Sequence, residues 1–252
     1  MSEDLQPWNL KPSDEREADT LRTFIIFCED EHHERFYFQS FEQKVDGVKI
    51  NGIPNLRSKK LNLNATIEEC QNRGLIGFAQ GGYQVLDGVN EHLWCVYDRD
   101  VEHADYALVP PHNNIDFDTA IIAAQNSGLK VAWSNDVFEM WLLLHFEQIP
   151  TGSMLHRTYV YDRLTDIFKN QVPRNPELNE LTANGGFNYK DNMKRRDRFL
   201  KEVLPLLHPR TERAIANANV LEAQFDEAVP YHQRNPCTMV HHLVLDILDG
   251  NI

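Results

Sequence analysis

Residues 21–31 read LRTFIIFCEDE, a mostly apolar and β-branched run that ends abruptly in three acids. Such a run is the pattern of a strand buried on both faces. Residues 92–97, HLWCVY, repeat it and pass directly into Asp98-Arg99-Asp100. Residues 129–133, LKVAW, do so a third time and lead into Ser134-Asn135-Asp136. Between these runs the spacing predicts helices over residues 32–44, 66–72 and 116–127, the last closed by Gly128, and another from Val137 through VFEMWLLLHFE. Residues 45–60 read as strand plus loop, 80–82 as a turn, and 101–114, with Pro110 and Pro111, as loop. Alternation of strand and helix over residues 21–150 predicts an α/β fold, a parallel sheet flanked by helices. After Pro150 the pattern turns helical, at 155–170, 189–204, 211–227 and 236–248, with a Pro- and Asn-rich break at 172–186. Residues 151–252 are therefore read as a helical C-terminal region, and 1–20 as a loose acidic tail that is neither signal nor transit peptide.

The bulk properties narrow the function. With 252 residues, 42% hydrophobic and 25% charged, the chain buries a core and is not a disordered protein. No apolar run reaches the roughly 20 residues a membrane span requires. Cys28, Cys70, Cys95 and Cys237 form no CxxC pair and read as buried free thiols of a reducing compartment, so a cytoplasmic protein is expected. The net charge of −13 repels nucleic acid unless cations or a local basic patch reverse the field. Residues 190–213 supply such a patch, with eight basic residues against four acids. Lys190, Lys194, Arg195, Arg196 and Arg198 are its candidate contacts to nucleic acid or an acidic partner; the alternative is a solvated helix face laced with ion pairs.

The acids point to chemistry. Alternate residues of an extended turn point the same way, so Asp98 and Asp100 can face one ion. Glu29, from another strand end, completes a hard-oxygen site suited to Mg²⁺ or Mn²⁺, because clustered carboxylates repel one another without a cation. Acids capping ordinary turns are the competing explanation. His145 lies six residues after Glu139, diverging by about 120° on an ideal helix, and reads as a packing histidine. The adjacent pairs His32-His33 and His241-His242 diverge in the same way and do not suggest joint metal ligation. No phosphate-binding Walker motif occurs, so any ATP hydrolysis must come from a partner.

CEDE after the first strand, DRD after the second and SNDVFEMWLLLHFE after the third resemble the RloB-like proteins, a Toprim-related family of bacterial abortive-infection and antiphage loci. The matching positions are Cys28, Glu29, Glu31, Glu34, Tyr37 and Phe38; Asp98 and Asp100; and Ser134, Asn135, Phe138, Glu139, Trp141 and His145. NPCTMVHHLV, from Asn235, is similar to the N-P-x-T element that closes many members. Two positions depart: Asp30 stands where Gly is usual, and Asp136 where Pro is common. The resemblance implies a Toprim-like sheet whose Glu29, Asp98 and Asp100 bind Mg²⁺ or Mn²⁺ in a nuclease acting on RNA such as tRNA, or on DNA. Asp98 and Asp100 are the expected metal ligands, Glu29 a ligand or general base, and Glu139 a fourth candidate, with bracing of the next turn as its alternative role. Glu31, Glu34, Ser134, Asn135 and His145 are supporting positions. The resemblance further implies a partner ATPase of the ABC or AAA type; a homo-oligomer is compatible with it. A non-catalytic Toprim-like regulatory or assembly subunit is the competing function. A topoisomerase or primase is disfavoured, because about 250 residues leave no room for the further domains these need.

Overall fold

In the computed structural model, residues 21–30, 32–54, 63–79 and 81–249 are described; the expected tail, residues 1–20, and Glu31 lie outside them. Five strands form the main sheet: β1 (Arg22–Cys28), β2 (Val48–Pro54), β5 (His92–Asp98), β6 (Lys130–Asn135) and β7 (Cys237–Thr238), in the order β2-β1-β5-β6-β7. Contacts β1–β2, β1–β5 and β5–β6 are parallel, and β7 closes the edge antiparallel to β6. The expected mixed α/β fold with a mostly parallel sheet flanked by helices is what the chain adopts.

Each central strand buries both faces, as the near-continuous apolar runs require. Phe24, Ile26, Trp94, Val96 and Ala132 point to one side; Phe27, Leu93, Cys95, Val131 and Trp133 point to the other. The first side is covered by α1 (His33–Gln39), α4 (Glu139–Leu144), α5 (Arg157–Asn170) and the C-terminal helices, among them α10 (Thr211–Glu222) and α11 (Val240–Leu248). The second is covered by α2 (Leu63–Asn72) and α3 (Pro111–Asn126). All four cysteines are buried free thiols. No described helix is long and apolar enough to cross a membrane.

Several local boundaries differ from the sequence reading. α3 starts at Pro111, not Asp116, because proline at the first helical position loses no hydrogen bond there. Gly128 ends it at φ +83°, and a Cβ on Gly128 would meet Val85 at 2.8 Å. On either side of the expected turn, β3 (Ile76–Ala79) and β4 (Gly82–Val85) pair antiparallel. The 172–186 break contains α6 (Pro176–Ala183), capped by Asn175 Oδ1 accepting from Leu178 N at 2.7 Å. The continuous helix expected over 189–204 is instead a chain of short turns: α7 (Tyr189–Asn192), α8 (Arg196–Arg198), a π-turn over Phe199–Val203 and α9 (Leu204–Leu207). The 236–248 helix begins only at Val240, since Cys237 and Thr238 are the two residues of β7.

Candidate functional site

Parallel strands deliver their C-terminal ends to one sheet edge, where open α/β sheets bind ligands. Here β1 ends next to Glu29 and Asp30, β5 ends in Asp98, and β6 leads into α4, whose first residue is Glu139. Glu29 Oε2 accepts from Asp98 N at 3.1 Å, joining the first two strand ends directly. Glu34, on the first turn of α1, turns back so that its Oε2 accepts from Glu29 N at 2.7 Å and Asp30 N at 3.2 Å. Asp30 Oδ1 accepts from His32 N at 2.6 Å and His33 N at 2.8 Å. Aspartate in place of the usual glycine thus caps the start of α1.

Asp98 is the centre of the cluster. Its Oδ2 accepts from Phe138 N at 2.8 Å, while Oδ1 is buried and has no hydrogen-bond partner among the described residues. Burial first, then the charges of Glu29, Glu34 and Glu139, push the Asp98 carboxyl well above its ordinary range. Burial and the charges of Glu29 and Asp30 do the same to Glu34. Burial would raise Glu139 as well, but Lys194 and His33 outweigh it and hold this carboxyl low. Lys194 Nζ lies 2.6 Å from Glu139 Oε1, and Tyr161 Oη donates to Glu139 Oε2 at 3.2 Å. His33 bridges Asp30, through Nδ1 at 3.2 Å, and the carbonyl of Lys194.

Glu29, Asp98 and Asp100 stand between two cavities. One, of about 260 Å³, is completed by Asp30, Glu34, Glu139, Tyr161 and Lys194; the other, of about 320 Å³, by Tyr97, His103, Asn113 and Asp116. Asp100 follows the end of β5 with φ +60°, a conformation aspartate tolerates better than most residues. Its Oδ1 is 2.5 Å from Arg157 Nη1. The same guanidinium binds the fully buried Asp136, which also accepts from Val101 N at 2.6 Å. Arg157 and Tyr161 carry no motif spacing and were not singled out by sequence; Asp136 was noted only as a departure from the family pattern and His33 only as half of a diverging pair, and only the chain path brings all four to the acids.

Hard carboxylate oxygens, one of them orphaned, in a wall of like charge fit a divalent cation of the Mg²⁺ or Mn²⁺ class. Glu29 and Asp98 are the donors best placed to hold it; Asp100 shares its carboxylate with Arg157. The sequence-predicted residues do not all meet here. Ser134 Oγ pairs with Thr238 Oγ1 at 3.0 Å, and the Asn135 Oδ1 lies 2.9 Å from the Asn235 amide nitrogen. These four side chains are buried and clamp β7 against β6. His145 lies in the core, Nδ1 to Trp141 O at 2.9 Å and Nε2 to Tyr37 Oη at 3.2 Å. Burial lowers it to about 3. Among the basic residues, Lys194 enters the acidic cavity, whereas Lys190, Arg195 and Arg196 are exposed beside it. Arg198 is tied to Glu177 at 2.7 Å.

The family model described as "RloB-like protein" matches residues 24–247, nearly the whole described chain. This chain belongs to the RloB-like family. No curated protein and no solved structure matches it. The RloB-like match spans the carboxylate edge, the basic turns and the β6–β7 clamp alike.

Proposed function

We propose that this RloB-like protein is a Toprim-type nuclease dependent on Mg²⁺ or Mn²⁺, cutting phosphodiester bonds of RNA or DNA as the cytoplasmic effector of a bacterial antiphage abortive-infection system. The observation that carries the reading is the orphaned Asp98 Oδ1 within the carboxylate wall at the C-terminal sheet edge. A divalent cation there supplies polarisation of the scissile phosphate and hydroxide formed from water. Glu29 and Asp98 hold and orient that charge, with Glu29 also a candidate proton acceptor. Glu34 fixes the turn that presents Glu29. Lys194, steadied by Glu139 and Tyr161, offers an ammonium on one side of the site to a phosphate oxygen. Exposed Lys190, Arg195 and Arg196 extend the positive surface beside it, for the nucleic acid strand or a docking partner. A net charge of −13 disfavours free binding of nucleic acid, which supports control within a complex, with an ABC- or AAA-type ATPase as the partner.

Purified protein incubated with tRNA, other RNA, plasmid and single-stranded DNA, with Mg²⁺, Mn²⁺ or EDTA, tests this. Expected is metal-dependent cutting that disappears in Asp98→Ala/Asp100→Ala; cutting that survives the double variant would put the chemistry elsewhere. The Arg157–Asp100 contact favours one competing reading, a self-neutralised edge used for regulation or assembly without catalysis. Under that reading the same double variant keeps cellular defence intact.

A further inference from the structure

Outside the carboxylate edge, three side chains converge that the nuclease reading does not use. Glu222 is the last residue of α10, and His241 and His242 lie on the first turn of α11. Side chains adjacent on a helix were expected to diverge, yet the two imidazole rings lie 4.1 Å apart and both reach the same carboxylate. His241 Nε2 is 2.9 Å from Glu222 Oε2; His242 Nε2 is 2.9 Å from Oε2 and 3.1 Å from Oε1.

The proton positions make this contact informative. His241 Nδ1 lies 3.1 Å from the carbonyl oxygen of Thr238. A carbonyl only accepts, so Nδ1 carries the ring proton, and in the neutral ring Nε2 is left with a lone pair facing a carboxylate oxygen. Two electron-rich atoms at that distance repel unless a proton or a metal cation lies between them, and a metal cation there would also serve the His242 nitrogen that shares the carboxylate. The ring itself is fully buried. An Nδ1–H donated to a backbone carbonyl is also the arrangement that orients metal-bound histidines.

We infer that Glu222, His241 and His242 form a second metal site, for a Zn²⁺-class transition-metal dication, distinct from the Mg²⁺-type carboxylate edge. Two imidazole nitrogens with one carboxylate are the donor set such ions favour, whereas Mg²⁺ prefers oxygen throughout. The ligand atoms all lie within 4.8 Å of one another. Tetrahedral bonds of about 2.0–2.1 Å require ligand separations of about 3.3 Å, reached by opening the present contacts by a few tenths of an ångström. Glu222 and His242 also line a surface cleft with Trp133, Tyr231 and Arg234, so the fourth position opens to solvent or to a donor from a bound partner. The ion would tie α10 to α11 beside the antiparallel edge strand.

The test is Zn²⁺ titration of the metal-stripped full chain at neutral pH against a chromophoric chelator. Wild type is compared with His242→Ala, Glu222→Gln and, as a control for the carboxylate edge, Glu29→Gln/Asp98→Asn. His242 is half exposed, so its truncation leaves folding intact, as far-UV circular dichroism verifies. Expected is one tight equivalent in wild type and in the edge control, weakened about 100-fold or more in both other variants, beyond the cost of losing an outer-sphere partner. Bound Co²⁺ should show visible d–d absorption that the same two variants lose. Absence of a tight equivalent in wild type, its retention in His242→Ala and Glu222→Gln, or its loss only in the edge control would each overturn the assignment.

Discussion

Glu139 and Lys194 exist as charges only because they face each other. Glu139 is 3% exposed, and an isolated carboxylate at such a position shifts toward its neutral form rather than stay ionised. Truncating Lys194 to Ala should therefore destabilise the protein by about 2–3 kcal/mol, the cost of leaving a buried charge unpaired, reduced because the Lys194 side chain is 27% exposed. Adding Glu139→Gln to that variant should recover more than half of the loss in denaturant titrations. Additive effects of the two changes would mean that the pair is not coupled. Asp98 differs: its Oδ1 has no hydrogen-bond partner among the described residues, and the acids Glu29, Glu34 and Glu139 surround it. That asymmetry between the two acids separates a self-satisfied ion pair from a carboxyl set in a wall of like charge.

At the scale of elements, the two-residue strand β7 decides more than its length suggests. It closes the β6 edge, and the residue pair before it anchors the chain to two loops. The Asn235 amide nitrogen lies 2.8 Å from Tyr106 Oη, 2.9 Å from Asn135 Oδ1 and 3.1 Å from Leu155 O, while its Oδ1 accepts from Leu155 N at 2.6 Å. Asn235→Ala strips partners from several buried groups at once. We expect a loss of about 2–3 kcal/mol and faster amide exchange of Cys237, Met239 and Leu155, with β1 and β5 protected as before. Uniform acceleration across the sheet would instead assign Asn235 to global stability. Arg157, at the start of α5, plays the parallel part on the site side, binding Asp100 and Asp136 together and so fixing the loop that follows β5.

For the whole molecule, the proposed cation site would make folding and cation binding at the carboxylate edge one equilibrium. Asp98 and Glu34 have folded-state pKa values above their unfolded ones, so between those values the folded protein binds more protons than the unfolded chain. Stability from these two groups then falls as pH rises through that window, which starts near the unfolded carboxylate range of about 4. Asp30 and Glu139, held low, act in the opposite sense and lose their contribution only as pH falls below that range. In EDTA the thermal midpoint should therefore decline from mildly acidic to mildly alkaline pH, and Asp98→Asn should flatten that slope. Saturating Mg²⁺ should raise the midpoint more at the alkaline end, because protons and the cation compete for the same oxygens. A Mg²⁺ effect that is independent of pH, or unchanged in Asp98→Asn, would remove the cation from this edge.

What the sequence determined by itself was the layer architecture and the acids at the strand ends. Strands such as FIIF and LWCV are apolar at every position because both of their faces are buried, and that pattern is readable without knowing which strands pair. A parallel sheet then brings the residues after β1 and β5 to one edge, so Glu29, Asp98 and Asp100 were legible as a group. What only tertiary structure decided was which partners neutralise those acids and which do not. Lys194 read as one cation in a basic helix, but the helix breaks around it and delivers its ammonium to Glu139. Ser134 and Asn135 read as neighbours of the site, but their hydroxyl and amide face Thr238 and Asn235, 104 and 100 residues away. The His241–His242 pair was read as diverging, because helical spacing describes one helix and the carboxylate both reach, Glu222, comes from another. Periodicity records burial, which is a property of each residue's own environment. Charge pairing depends on distances between remote segments, and those are set only when the chain has packed.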